Sequence, residues 1–112
     1  MMKHFLAVSA ASTLVLAGLV FGETPDPQKG KLLFDGKAEP ACAVCHNATS
    51  TEKKMGPGLK GISQKAKFTN GKKMSDAALK ENILKGGGGM PGYEDTLKAA
   101  DIANLVAYLK TL

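Results

Sequence analysis

The chain has 112 residues, enough for one domain, and carries 15 basic against 10 acidic side chains, a formal net charge of +5. Every basic side chain is a lysine, tryptophan is absent, and four Phe and two Tyr are the only aromatics. Nucleic-acid recognition draws on arginine for bidentate contacts and on aromatic faces for stacking, so this composition argues against it. The lysines read instead as a solvated surface that can also steer an acidic partner.

Met1, Met2, Lys3 and His4 make a short basic start, and residues 5–21 then run without a charge, rich in Leu, Val and Ala. Gly22 ends the run, and Glu23-Thr24-Pro25-Asp26-Pro27 is polar and breaks any helix. This pattern predicts a secretory signal peptide over residues 1–22, cleaved to leave a domain at residues 23–112 outside the cytoplasm, in the periplasm. The alternative is an uncut membrane anchor, since 17 apolar residues sit at the short end of what spans a bilayer.

Asp26 suits an N-cap and Pro27 the first helical position, which predicts a first helix ending near Asp35-Gly36, followed by a surface loop to Ala41. Cys42 to His46 is expected as a short helical turn, and Asn47 to Lys54 as a polar loop. Met55-Gly56-Pro57-Gly58-Leu59 is punctuation, with a turn of helix over Leu59 to Lys65 and a reverse turn at Thr69-Asn70-Gly71. Ser75 caps a helix to Lys85 with Leu79 and Ile83 on one face, closed by Gly86. Four glycines lead into Met90-Pro91-Gly92-Tyr93, and a last helix over Lys98 to Leu109 carries Ile102, Leu105, Val106 and Leu109 as an apolar stripe. No strand pattern is long enough to build a sheet, so the domain reads as all-α.

Cys42-Ala43-Val44-Cys45-His46 is the C-x-x-C-H pattern of covalent haem attachment. Two thiols one helical turn apart can each add to one vinyl group along an edge of a porphyrin, and the next residue, His46, can then reach the iron. Three other readings compete. A thioredoxin-like pair follows a strand, and none is evident here. Zinc needs a fourth ligand, and the only other histidine, His4, lies in the signal segment. A disulfide between Cys42 and Cys45 would close a tiny loop and staple nothing distant. A covalent porphyrin also supplies hydrophobic bulk that a domain this small needs.

With no second histidine in residues 23–112, a methionine thioether is the leading candidate for the second axial position. Met55 and Met74 read as core filler, whereas Met90 follows the glycine run and precedes a proline, which suits close approach to a flat ring.

Cys42-Ala43-Val44-Cys45-His46, then Gly56-Pro57-Gly58-Leu59-Lys60-Gly61, then Met90-Pro91-Gly92-Tyr93, then Leu105-Val106-Ala107-Tyr108-Leu109 resemble the class I monohaem c-type cytochromes in their order along the chain. The resemblance spans Asp26 to Leu112. It implies an all-α, cytochrome c-like fold of about four helices around one covalently attached haem c, in which Gly30 and Phe34 of the first helix pack on the last helix near Leu105 and Tyr108. It also implies thioether bonds at Cys42 and Cys45, iron ligation by His46 and Met90, and a hydrogen bond between the His46 ring and the carbonyl of Pro57 that fixes the ring's orientation. Without a tryptophan, Gln64, Lys65, Thr69 or Asn70 would have to serve the haem propionates. Leu59, Ile62, Phe68, Leu79, Ile83, Tyr93 and Leu97 are expected as pocket walls.

The function expected is a one-electron carrier cycling between Fe(III) and Fe(II), not an enzyme. It would act as a monomer with redox-protein partners, an acidic one fitting the nine lysines against Asp76 and Glu81 between Lys53 and Lys85, and with no small-molecule substrate. The alternative is a haem protein with an open or displaceable distal site, acting as a sensor or enzyme.

Overall fold

Asp26 accepts the backbone N–H of Gln28 on its side chain at 2.8 Å, and Pro27 opens the first helix with a preset φ and no amide to leave unpaired. The computed structural model describes residues 24–112, so the expected signal peptide at residues 1–22 and the anchor alternative lie outside the described residues. Helix α1 spans Pro27–Leu32 and widens into a π-helical turn over Leu33–Lys37, closed by Ala38 N–H on Leu33 O at 3.1 Å. The expected surface loop is only partly that. Ala38 is buried, because the π turn swings the chain back toward the core.

Helix α2 spans Asp76–Lys85. Its N-cap Ser75 accepts Ala78 N–H at 3.0 Å, Leu79 and Ile83 face inward, and Gly86 at φ +65° ends it with its N–H on Asn82 O. Helix α3 spans Ala99–Leu109, with the Asp101 carboxylate accepting Lys98 N–H at the start, as acid in a first turn favours. Between α1 and α2 there are single 3-10 turns at Cys42–Val44 and Ile62–Gln64. The described residues hold no strand, only isolated bridges between Lys67 and Lys73 and between Gly87 and Met90. The all-α expectation holds, with the shorter helical pieces realised as 3-10 turns.

The first and last helices form the base of the core. A Cβ on Gly30 would stand 2.0 Å from the carbonyl oxygen of Asn104, so only glycine lets α1 cross α3 this closely. Phe34 meets Tyr108 edge to face at 5.5 Å between ring centroids. Asn104, the one buried polar residue among those described, accepts the Asp26 N–H at 2.8 Å. Phe34, Ile102 and Leu105 are the most deeply buried large side chains, and Leu79, Ile83 and Tyr93 join them from the α2 side. No helix among the described residues is long and apolar enough to cross a membrane.

Candidate haem-binding site

The 3-10 turn at Cys42–Val44 continues to His46, whose N–H bonds Cys42 O at 2.9 Å, so the two thiols and the imidazole leave one tight piece of backbone. The loop after it folds back along the same piece. Gly56 N–H bonds Cys45 O at 2.8 Å, Leu59 N–H bonds Asn47 O at 2.7 Å, and Lys54 Nζ donates to Ala43 O at 3.2 Å.

Folding back brings Pro57 O to 2.8 Å from His46 Nδ1. A carbonyl oxygen only accepts, so Nδ1 carries the ring proton and Nε2 keeps its lone pair for a metal. Gly56 lies directly under the ring. A Cβ there would come within 2.4 Å of His46 Cε1.

Met90 arrives on a different device. Gly87 and Met90 exchange both backbone hydrogen bonds, at 3.0 and 3.1 Å, around Gly88 at φ +60° and Gly89 at φ +93°. Two consecutive positive-φ residues make the tight primed turn that side chains with a Cβ resist. Tyr93 N–H on Ile83 O and Glu94 N–H on Leu84 O then tie the segment back to the end of α2.

These pieces line one cavity of about 810 Å³. Cys42, Cys45, His46, Met55, Pro57 and Met90 all border it, while Met74 does not and packs against the core instead. Met55 is 80% exposed, with its sulfur 3.9 Å from the sulfur of Cys45, so it belongs to the rim beside the cysteines and is not core filler. Six of the seven expected wall residues line the cavity. Leu97 instead packs behind Tyr93, its N–H on Tyr93 O.

Charge and polarity are unevenly placed around the opening. Lys53, Lys65 and Lys67 line it together with Thr69 and Asn70, no Asp or Glu does, and Gln64 stays outside. Two features of this lining have no local sequence signal. Lys67 enters only because residues 66–74 close as a hairpin, with Met74 N–H on Ala66 O at 2.9 Å. The Tyr93 hydroxyl reaches across to donate to the Pro40 carbonyl. Burial, with the Cys42 thiol alongside, pushes the Tyr93 phenol up to about 12, and burial also raises the Cys42 thiol.

No disulfide joins Cys42 to Cys45, and no three His, Cys, Asp or Glu side chains cluster among the described residues as a metal cage would need. The lining does fit a porphyrin. The volume suits a large cofactor, the walls are apolar, paired thiols and an imidazole with a free Nε2 share one end, and a soft thioether faces the same space.

Comparison with known proteins agrees. The family model described as "Cytochrome C oxidase, cbb3-type, subunit III" matches residues 25–109. The chain is 31% identical to cytochrome c6 of a Picosynechococcus species over 115 residues, covering 96% of this chain and 92% of that one. It is 30% identical to cytochrome c6 of a Synechocystis species, covering 96% and 86%. Among solved structures, the c-type cytochrome SorU of Sinorhizobium meliloti aligns with a TM-score of 0.58 at 22% identity, over 76% of this chain and 87% of that one. Cytochrome c6 of the diatom Phaeodactylum tricornutum gives 0.55, also at 22%, over 77% and 92%. The last two speak to fold alone.

The chain belongs to this family of c-type cytochromes, as a small monohaem protein of class I. It carries covalently bound haem c and is an electron carrier.

Proposed function

We propose that the protein carries single electrons between redox proteins outside the cytoplasm, with Cys42 and Cys45 as the thioether attachments and His46 and Met90 as axial ligands. The observation that carries this reading is the shared cavity: His46 with Nε2 free and Met90 on its glycine turn open into the same space. The bound haem supplies the ferric–ferrous couple. The chain's part is to keep both ligands in place in either state. Pro57 O fixes the imidazole proton on Nδ1, the Gly87–Met90 turn fixes the thioether, and apolar walls keep water away, a setting that favours the ferrous form. With His46 and Met90 both holding the iron, no position would be left for a substrate, and the protein would act as a carrier and not an enzyme.

The partner we infer is an acidic redox protein, met by a monomer. Among described residues Lys72 pairs with Glu81 at 3.9 Å, Lys85 with Glu94 at 2.8 Å and Lys110 with Asp76 at 2.9 Å. Lys53, Lys54, Lys60, Lys65, Lys67, Lys73 and Lys80 have no such pairing there, so they leave net positive charge on the segment that joins His46 to Met90.

The test is chemical. Protein expressed with its own leader is expected to keep its colour through acidified acetone, to stain for haem after denaturation, and to have the mass of a chain beginning near Glu23 plus one haem. Freely extracted colour would overturn the attachment. Full-chain mass with membrane-bound colour would favour the uncut anchor.

A further inference from the structure

Two segments of the cavity wall are joined by one side chain. Tyr93, three residues after Met90, is only 3% exposed, and its hydroxyl donates to the carbonyl of Pro40, two residues before Cys42. Both residues line the cavity. The two ends of this strut are fixed. On the Met90 side, Tyr93 N–H bonds Ile83 O at 3.0 Å, and Leu97 N–H bonds Tyr93 O at 3.0 Å, so the phenol stands on the end of α2. On the cysteine side, Ala38 is buried with its N–H on Leu33 O at 3.1 Å, and Ala41 O takes the Val44 N–H at 3.1 Å. A hydrogen bond between two fixed points sets the width between them.

The turn that carries Met90 has no comparable support from outside. Gly87, Gly88 and Gly89 are exposed, and a Cβ on any of them would meet nothing within 4 Å. Gly86 packs on the Met90 segment itself, where a Cβ would come within 2.3 Å of Met90 O. Only Pro91 and Gly92 separate Met90 from Tyr93. The phenol therefore makes the first hydrogen bond after Met90, among the described residues, that reaches the segment leading into Cys42 and His46.

We propose that Tyr93 is a positioning residue whose hydroxyl, bonded to Pro40 O, holds the Met90 and cysteine sides of the cavity at the separation that keeps the Met90 thioether on the iron. This rests on the haem reading of the cavity with Met90 as a ligand. An added ligand such as imidazole reaches ferric iron only where the thioether has left, so its apparent affinity follows the fraction of molecules with Met90 off. Removing a hydrogen bond that opposes this opening raises that fraction.

The test is an imidazole titration of the haem-loaded ferric protein, read by its visible spectrum. Tyr93→Phe keeps the ring and removes the donor, and is expected to bind imidazole roughly three- to tenfold more tightly, the effect of one lost hydrogen bond. Replacement of Tyr93 by para-aminophenylalanine keeps a weaker donor at the same place and should fall between that variant and the unaltered protein. Ile102→Val is the control for stability alone, since Ile102 is fully buried and does not line the cavity. It lowers stability about as much as a lost hydrogen bond does, yet should change imidazole affinity less than twofold. Unchanged affinity in Tyr93→Phe would overturn the proposal, and so would an equal gain in Ile102→Val. If Tyr93→Phe matures too poorly to assay, the para-aminophenylalanine protein decides by the same rule: tighter imidazole binding supports the strut, and unchanged binding overturns it. A far-red band that survives Met90→Ala would instead sink the ligand reading, and freely extracted colour the haem reading, so these failures are distinguishable.

Discussion

The carbonyl oxygen of Pro57 stands 2.8 Å from Nδ1 of His46, and the residue before that proline, Gly56, lies beneath the same imidazole ring. One turn of backbone therefore both orients the ring and sets how close the chain passes under it. The bond uses a main-chain acceptor, so no side-chain change removes it directly, but crowding from below can.

Gly56→Ala is the crowding variant. Its Cβ would meet His46 Cε1 at 2.4 Å, and the ring or the loop must give. Overpacking of this kind costs about 1–3 kcal/mol. The expected result is a lowered Tm together with an altered ferric absorption spectrum. A spectrum and Tm equal to those of the unaltered protein would show that the loop adjusts freely.

Met90→Ala is expected to abolish the weak far-red absorption of an iron–thioether bond and to open the sixth position to cyanide or carbon monoxide. Met55→Leu and Met74→Leu should keep that absorption, since Met55 lies on the exposed rim beside Cys45 and Met74 lies off the cavity. The opposite pattern would transfer the ligand role to one of those two.

The phenol of Tyr93 is raised chiefly by burial, to about 12 with Cys42 as a thiol, and burial persists when Cys42 carries a thioether. Its folded pKa is thus above the ordinary value of 10, so the unfolded chain releases this proton first as pH rises. Stability linked to Tyr93 is full below pH 10 and declines as pH climbs from 10 toward 12. Denaturant titrations at pH 9 and pH 11 are expected to show a smaller unfolding free energy at pH 11, and Tyr93→Phe should flatten the difference. An unchanged pH dependence in Tyr93→Phe would remove Tyr93 from the account.

Transfer to an acidic redox protein is expected to slow as salt rises, because exposed charges are screened over about 10 Å at 0.1 M ionic strength. Lys73→Gln should lower the low-salt rate more than Lys72→Gln, since Glu81 already offsets part of the Lys72 charge. Stopped-flow mixing at several salt concentrations measures both. A rate indifferent to salt would leave the lysines without a steering role.

The helices were legible because their signals are local: Asp26 before Pro27, Ser75 before an acidic first turn, and an apolar stripe from Ile102 to Leu109. The cysteine pair and the histidine that follows were legible as a spacing, and the structure puts Met90 on the same cavity. Other parts were not. The π turn after Leu32 answers to tertiary packing of Leu33 and Phe34, which no local pattern records. The bond from Tyr93 to Pro40 joins residues 53 positions apart, and Lys67 reaches the cavity only through a hairpin that ordinary turn residues conceal. Leu97 shows the converse case. Its hydrophobicity marks it as buried but cannot say whether it faces the cofactor or the helices behind it.

The crossing of α1 over α3 at Gly30 makes the domain a closed circuit. Asp26 and Asn104, 78 positions apart, are hydrogen-bonded neighbours, so the chain leaves its base and returns to it. Closing an unpinned loop of that length costs about 4 kcal/mol of chain entropy beyond a constant. On the proposed ligand set, a cofactor anchored at Cys42, Cys45 and His46 and gripped again at Met90 would divide that circuit into shorter spans, each with less to close. Haem capture and the meeting of the terminal helices should therefore reinforce one another: a protein whose cysteines cannot attach haem would lose not only its colour but also much of the drive that brings its two ends together.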